Sequence, residues 1–239
     1  MIEMAERSDI AELAESFAST GYVQICDFLS AKTAIEMHEM LRRRDDWKQV
    51  ITTGEGYVEL DRHSRATMFA EQAQAIDDAV YAQARSGFQY RYESIRVPDD
   101  RQARHASADP LARLAEVMSR DPVRQLVQTV AGARDISFAD AQATAFSPGD
   151  FLTAHDDDVA GKDRRVAYVL TLTPNWRIEW GGLLLFHGSD GHVSRGLKPI
   201  FNALNIFRVP IVHSVSEVSR ASPYRRYSVT GWFRAGSRP

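Results

Sequence analysis

Apolar residues recur at helical spacing through the first part of the chain, and from about residue 136 the pattern changes to short runs of strand composition. Residues about 5–19 predict an amphipathic helix closed by Gly21. Ser30 is placed to cap a second helix that runs through Ile35, Met37 and Leu41 to Arg42-Arg43-Arg44. Phe69, Ala73, Ile76, Val80 and Ala84 predict a third helix between about 67 and 86, with Gly87 just past its end. Asp109-Pro110 and Asp121-Pro122 each read as an N-cap followed by proline at the first helical position, and Gly132 ends the second of these helices. Within this helical part, Phe88-Gln89-Tyr90-Arg91-Tyr92 alternates as a strand does.

Strand composition then covers Ile136–Phe146, Phe151–His155, Val166–Leu172, Leu183–His187, Asn205–Val209, Ile211–Val215 and Tyr227–Phe233, separated by Pro, Gly, Asp and Ser turns. Ser189-Asp190-Gly191 reads as a hairpin tip between Leu183–His187 and His192-Val193. Helices followed by a run of strands point to an α+β fold with a mainly β core. We expect a double-stranded β-helix, or jelly roll, with supporting N-terminal helices. A length of 239 residues suits one domain, 1–239, with a helical layer over about 1–135 and a jelly-roll core over about 136–234.

Composition narrows the partners. A net charge of −3 offers no electrostatic ground for nucleic acid or an anionic membrane. The basic clusters Arg42-Arg43-Arg44 and Arg164-Arg165 are read as a solvated helix end and loop. The single cysteine, Cys26, excludes an intrachain disulfide and a thiolate zinc site, and its apolar run Tyr22–Cys26 predicts a buried strand residue. No window approaches a membrane span and no secretory pattern opens the chain, so a reducing cytoplasm is the expected location. The oligomeric state is left open.

The candidate chemistry lies in the second half. His155-Asp156-Asp157 offers a histidine and a carboxylate two positions apart, which share one face of a strand. That parity favours Asp157 over Asp156 and Asp158, which are then solvated carboxylates or neighbours of the site. His213, in Pro210–Val215, comes late enough for several strands to run and return between it and Asp157. Two histidines and one carboxylate on one side of a metal leave coordination positions free, as non-haem Fe(II) oxygenases require. His187 is the competing ligand. In Arg225–Phe233 one face carries Arg226, Ser228, Thr230 and Trp232, and the other Arg225, Tyr227, Val229 and Phe233. An inward Arg226 would need an anion, since an unpaired buried charge costs several kcal/mol; a bound dicarboxylate would supply one. The surface arginine is the alternative. Gly181-Gly182 suggests a close backbone approach or a bulge.

Taken in order, these pieces resemble the 2-oxoglutarate- and Fe(II)-dependent oxygenases of the prolyl-hydroxylase branch. The matching stretches are Phe146-Ser147-Pro148-Gly149-Asp150-Phe151-Leu152 leading to His155-x-Asp157, and Trp180-Gly181-Gly182-x-Leu184. Asn202 and Phe207 follow, then His213-x-Val215-x-x-Val218 and Arg226-x-Ser228-x-x-Gly231-Trp232-Phe233. The nearest likeness is to the ribosomal-protein prolyl 3-hydroxylases and their bacterial relatives. The resemblance implies His155, Asp157 and His213 as iron ligands and Arg226 as the anchor of the distal 2-oxoglutarate carboxylate, with Ser228 as its helper. It also marks two departures. Phe146 stands where a tyrosine is frequent, and Thr171 stands where oxygen-sensing relatives place another tyrosine, so Thr171 and Ser228 are expected to contact the cosubstrate.

What the resemblance implies about activity is hydroxylation of a C–H bond with Fe(II), 2-oxoglutarate and O₂, releasing succinate and CO₂; ascorbate is a candidate auxiliary reductant. A prolyl residue of a protein or peptide is the favoured substrate, and a free amino acid or small metabolite the alternative. A metal-binding or sensing jelly roll without turnover is the alternative from a different class.

Overall fold

The computed structural model describes residues 2–53 and 56–236. Helix α1 (Ile10–Thr20) ends on Gly21, whose φ of 81° supplies the left-handed turn that leads into β1 (Tyr22–Ile25). Ser30 caps α2 (Ala31–Arg43) by accepting from the Thr33 amide. There follow β2 (Lys48–Thr52), β3 (Tyr57–Asp61), α3 (Arg62–Ala66), α4 (Ala70–Ala84), β4 (Tyr90–Arg96) and α5 (Arg101–Ala106). Asp109 and Pro110 start α6 (Pro110–Ser119) as expected. In α7 (Val123–Ala131), however, Pro122 is itself the N-cap, and its bond to Asp121 is cis.

The strand half consists of β5 (Ile136–Ala139), β6 (Gln142–Phe146), β7 (Phe151–His155), β8 (Arg164–Thr171), β9 (Leu184–His187), β10 (Val193–Leu197), β11 (Ala203–Arg208), β12 (His213–Val215) and β13 (Arg226–Ala235). These nine join β1 to β4 in one sheet whose main path runs β1-β11-β8-β13-β6-β4-β7-β12-β9-β10. Every pairing among the described residues is antiparallel. Helices α1, α2, α6 and α7 pack on one face of the β4-to-β1 part, around Ala143, Tyr168, Leu170, Leu204, Val229 and Phe233, while α4 packs Val80 against Ile51 and Phe151. The opposite face turns inward toward β7, β12 and β9, where Ala167, Val169, Leu184, Phe186 and Phe207 form a second core. Strand alternation alone therefore sorts β13: Tyr227, Val229 and Phe233 pack toward the helices, leaving Arg226, Ser228, Thr230 and Trp232 for the interior.

Several expectations need correction. The first 135 residues are not a helical layer alone, because β1, β2, β3 and β4 all come from them. The expected strand 136–146 is two strands broken at Asp140-Ala141. There, Asp140 accepts from the Trp232 amide at 2.7 Å, and a Cβ on Gly231 would collide with the Asp140 carbonyl. Cys26 falls just beyond β1 and is exposed, since the strand's inward positions are Val23 and Ile25. Arg44 is not merely solvated but pairs with both Asp46 and Asp109. Among the described residues no helix is long and apolar enough to cross a membrane.

Candidate active site

Strand register brings the two histidines together. His155 ends β7 and His213 opens β12, and they are direct cross-strand partners, so both rings leave the sheet on the same side. Their ring centroids are 4.2 Å apart. Each ring is oriented from behind: His155 Nδ1 lies 3.0 Å from the Thr153 carbonyl and His213 Nδ1 2.9 Å from that of Ile211. With Nδ1–H donating to a carbonyl, Nε2 is the atom that each ring turns toward the site. The Asp157 carboxylate faces both, Oδ1 at 3.3 Å from His155 Nε2 and Oδ2 at 3.4 Å from His213 Nε2. The three donor atoms lie within 4.8 Å of one another, a set able to hold one metal ion.

The electrostatics treat the two histidines differently. Burial, followed by the neighbouring His155 charge, pushes the His213 pKa down to about 4, so this imidazole is neutral at neutral pH. Burial opposes ionisation of Asp157, but the hydrogen bond from His155 and the charges of His213 and His155 outweigh it and lower its pKa. Burial also works against the His155 cation, yet the hydrogen bond and charge of Asp157 raise its pKa overall.

Asp157 reaches this position by a route that strand parity does not describe. Strand β7 stops at His155, and Asp157 lies beyond it with a φ of 64° in the left-handed region. Asp156 and Asp158 are exposed, and the Asp156 side chain accepts from the Asp158 amide. His187 stands apart from the cluster, its Nε2 2.9 Å from the Ser214 hydroxyl.

Deeper in the same cavity of about 500 Å³ lies Arg226. It is buried, its Nε has no hydrogen-bond partner among the described residues, and burial alone pushes its pKa down to about 10. Around it, Ser228 is the cross-strand partner of Thr144 on one side and Thr171 on the other. The three hydroxyl oxygens are all buried without a partner among the described residues. A row of uncommitted donors beside an unpaired guanidinium suits a carboxylate, because unmet buried polar groups of this kind each cost about 1–3 kcal/mol. Gly182 makes room for the arginine: its φ is +61°, and a Cβ there would lie 3.0 Å from Arg226 Cδ. The expected close approach at Gly181-Gly182 is thus observed.

Sequence reasoning missed Thr144, Tyr92 and Arg164 at this site. Thr144 shares its cross-strand row with Ser228, a register that alternation along one strand cannot reveal. Tyr92, on β4, stacks on Phe146 with centroids 5.0 Å apart, and burial pushes its hydroxyl up to about 12. An aromatic ring thus flanks the position where a tyrosine was expected. Arg164 is not a solvated loop residue; it lines the cavity. Arg165 points away and pairs with Asp135 at 2.9 Å.

Most of the residues that line this cavity lie within a stretch that matches known proteins. Residues 141–234 match the model of the 2OG-Fe(II) oxygenase superfamily. The mouse prolyl 3-hydroxylase OGFOD1 is 31% identical over 151 residues, covering 60% of this chain and 26% of the relative. The chain spans less than a third of the length of such curated relatives. Among solved structures, a prolyl-4-hydroxylase from Pseudomonas putida superposes with a TM-score of 0.61 at 20% identity, covering 95% of this chain and all of that one. A Trichoplax adhaerens prolyl hydroxylase, solved with a hypoxia inducible factor peptide fragment, gives 0.59 at 14% identity, over 95% of this chain and 89% of that one. These structural likenesses establish the fold.

The turn that delivers β7 carries its own electrostatic consequence. Burial raises the Asp150 carboxyl to about 7, against the Ser147 amide that donates to it at 2.8 Å and the nearby Arg91. A carboxyl with a folded pKa above its ordinary 3.8 stabilises the fold below that value and loses the contribution as pH rises toward about 7. Asp150→Asn keeps the acceptor for Ser147 and cannot ionise. Thermal unfolding followed from pH 4 to pH 7 should therefore fall less with rising pH in this variant than in the parent. Parallel curves would contradict a protonated Asp150.

Proposed function

We propose that this protein is an Fe(II)- and 2-oxoglutarate-dependent dioxygenase that hydroxylates a prolyl residue of a protein or peptide. The observation that carries the reading is a buried arginine with no anionic partner among the described residues, in the same cavity as a His–Asp–His face. His155, Asp157 and His213 would hold the metal through two neutral imidazoles and one anionic oxygen, a donor set suited to Fe(II). Arg226 would pair with the distal carboxylate of 2-oxoglutarate, with Ser228, Thr171 and Thr144 as hydroxyl donors. When bound, the metal and cosubstrate supply O₂ chemistry that inserts one oxygen atom into a C–H bond and leaves the other in succinate, with loss of CO₂.

The chain's own work is positioning and exclusion of water. The Nδ1 contacts to Thr153 and Ile211 fix both imidazoles. Phe146, Trp176, Val215 and Val218 wall one side of the cosubstrate end. Toward the surface, Phe88, Tyr90, Tyr92 and Phe146 form a ladder of rings with successive centroids 5.6, 5.4 and 5.0 Å apart. Phe88 also lies 5.4 Å from His155. Such a floor suits an apolar pyrrolidine ring held over the metal. The relatives named as prolyl 3-hydroxylases support the same substrate class.

Anaerobic addition of 2-oxoglutarate to the Fe(II)-loaded protein should give the weak visible charge-transfer band of a chelate, and His155→Ala should lack it. With O₂ and the true peptide, mass spectrometry should find a 2-oxoglutarate-dependent gain of one oxygen on proline. No band in the parent protein would end the dioxygenase reading. The gain of oxygen on a free amino acid instead would end the prolyl-peptide one.

A further inference from the structure

Arg164 opens β8 at the rim of the cavity. Its guanidinium carbon sits 3.5 Å from the centroid of the Trp232 ring, a stacked arrangement that Arg makes readily and Lys does not. From that platform Nη1 donates to the main-chain carbonyl of Asp157 at 2.9 Å. Its Nε is buried without a partner among the described residues. The side chain is half-buried, so its removal opens the rim of the cavity and leaves the core intact.

What needs holding is the Asp157 backbone. A non-glycine residue in the left-handed region is strained, and Asp157 lies past the end of β7, outside the strand ladders. A peptide unit placed there by the sheet alone would be free to relax, carrying its carboxylate away from His155 and His213. The bond from Arg164 is made to the carbonyl that would rotate in that relaxation, and Trp232 keeps the donor in place.

We propose that Arg164, clamped on Trp232, is the positioning residue that holds Asp157 in its left-handed conformation with its carboxylate between the two histidines. Its hydrogen bond is to the Asp157 peptide and not to the carboxylate, on which its charge also acts. The inference rests on the reading of His155, Asp157 and His213 as a metal centre.

Co(II) is a suitable probe, because its affinity can be titrated calorimetrically and its visible spectrum reports ligand geometry without turnover. Arg164→Met and Arg164→Lys should each weaken Co(II) binding tenfold or more and alter the spectrum, as loss of outer partners of metal ligands does. Lys should fail with Met, because it keeps the charge but neither the stack nor the fork. The melting temperature of the metal-free variants should stay within a few degrees of the parent. Parent-like Co(II) affinity in both variants overturns the proposal, as does a loss of affinity matched by a comparable loss of metal-free stability. A parent protein that binds no Co(II), or binds it equally well as His213→Ala, overturns the metal-centre reading itself and is recognised before any Arg164 variant is compared.

Discussion

Arg226→Met should lose 2-oxoglutarate while making the ligand-free protein harder to unfold. The two effects share one cause. Burial pushes the guanidinium pKa down to about 10 with no anion to offset the cost. Replacing a buried charge by an apolar side chain of similar length is often stabilising by roughly 1–4 kcal/mol, and in a chain of this size each kcal/mol moves the melting temperature by about 2–4 °C. Binding behaves oppositely, because truncating one side of a buried charge pair costs about 2–5 kcal/mol. That corresponds to a KM for 2-oxoglutarate raised by roughly 30-fold or more. In thermal unfolding with the metal-loaded parent, 2-oxoglutarate should raise the midpoint through linkage, and the variant should start higher and not respond. A variant that starts several degrees lower, or still responds to 2-oxoglutarate, would contradict an arginine kept for an anion.

Loss of His213 is the second large effect. His213→Ala should reduce turnover by about a thousandfold or more and weaken Fe(II) binding by at least about 100-fold, beyond the 10- to 100-fold typical of outer partners. The reason is geometric. His213 is the donor closest to full burial, with its side chain 5% exposed, and it shares the Asp157 carboxylate with His155. Among the described residues no neighbouring side chain is placed to replace it: His187 is engaged by Ser214, and Asp156 and Asp158 face solvent. Anaerobic titration with Fe(II) in the presence of 2-oxoglutarate, read at the charge-transfer band, measures this directly. Retention of the band with parent affinity would remove His213 from the ligand set.

The sequence carried the parts of the fold that depend on local burial. Strand composition in Phe151–His155 and Arg226–Phe233, the caps at Ser30 and Asp109, and the turn at Gly21 each depend on a few adjacent residues, and each is found where expected. The strands Lys48–Thr52 and Tyr57–Asp61 were not legible, because their burial does not alternate and their place in the sheet comes from pairing with each other and with β4.

At the site the division follows the same physics. By itself the sequence determined which residues could supply the chemistry: the donors His155, Asp157 and His213, and an arginine on the same strand face as Ser228. Side-chain period and residue chemistry are local properties, readable one strand at a time. Only the tertiary structure decided how they meet. The β7–β12 register sets the two imidazoles side by side, and the strand row β6-β13-β8 gathers three hydroxyls around Arg226. A left-handed residue beyond the end of β7 brings Asp157 to face the two histidines, by a route other than the strand parity that favoured it. The stack of Arg164 on Trp232 was invisible for the same cause. It joins the start of β8 to the end of β13, and contacts between segments that distant leave no trace in the spacing of either.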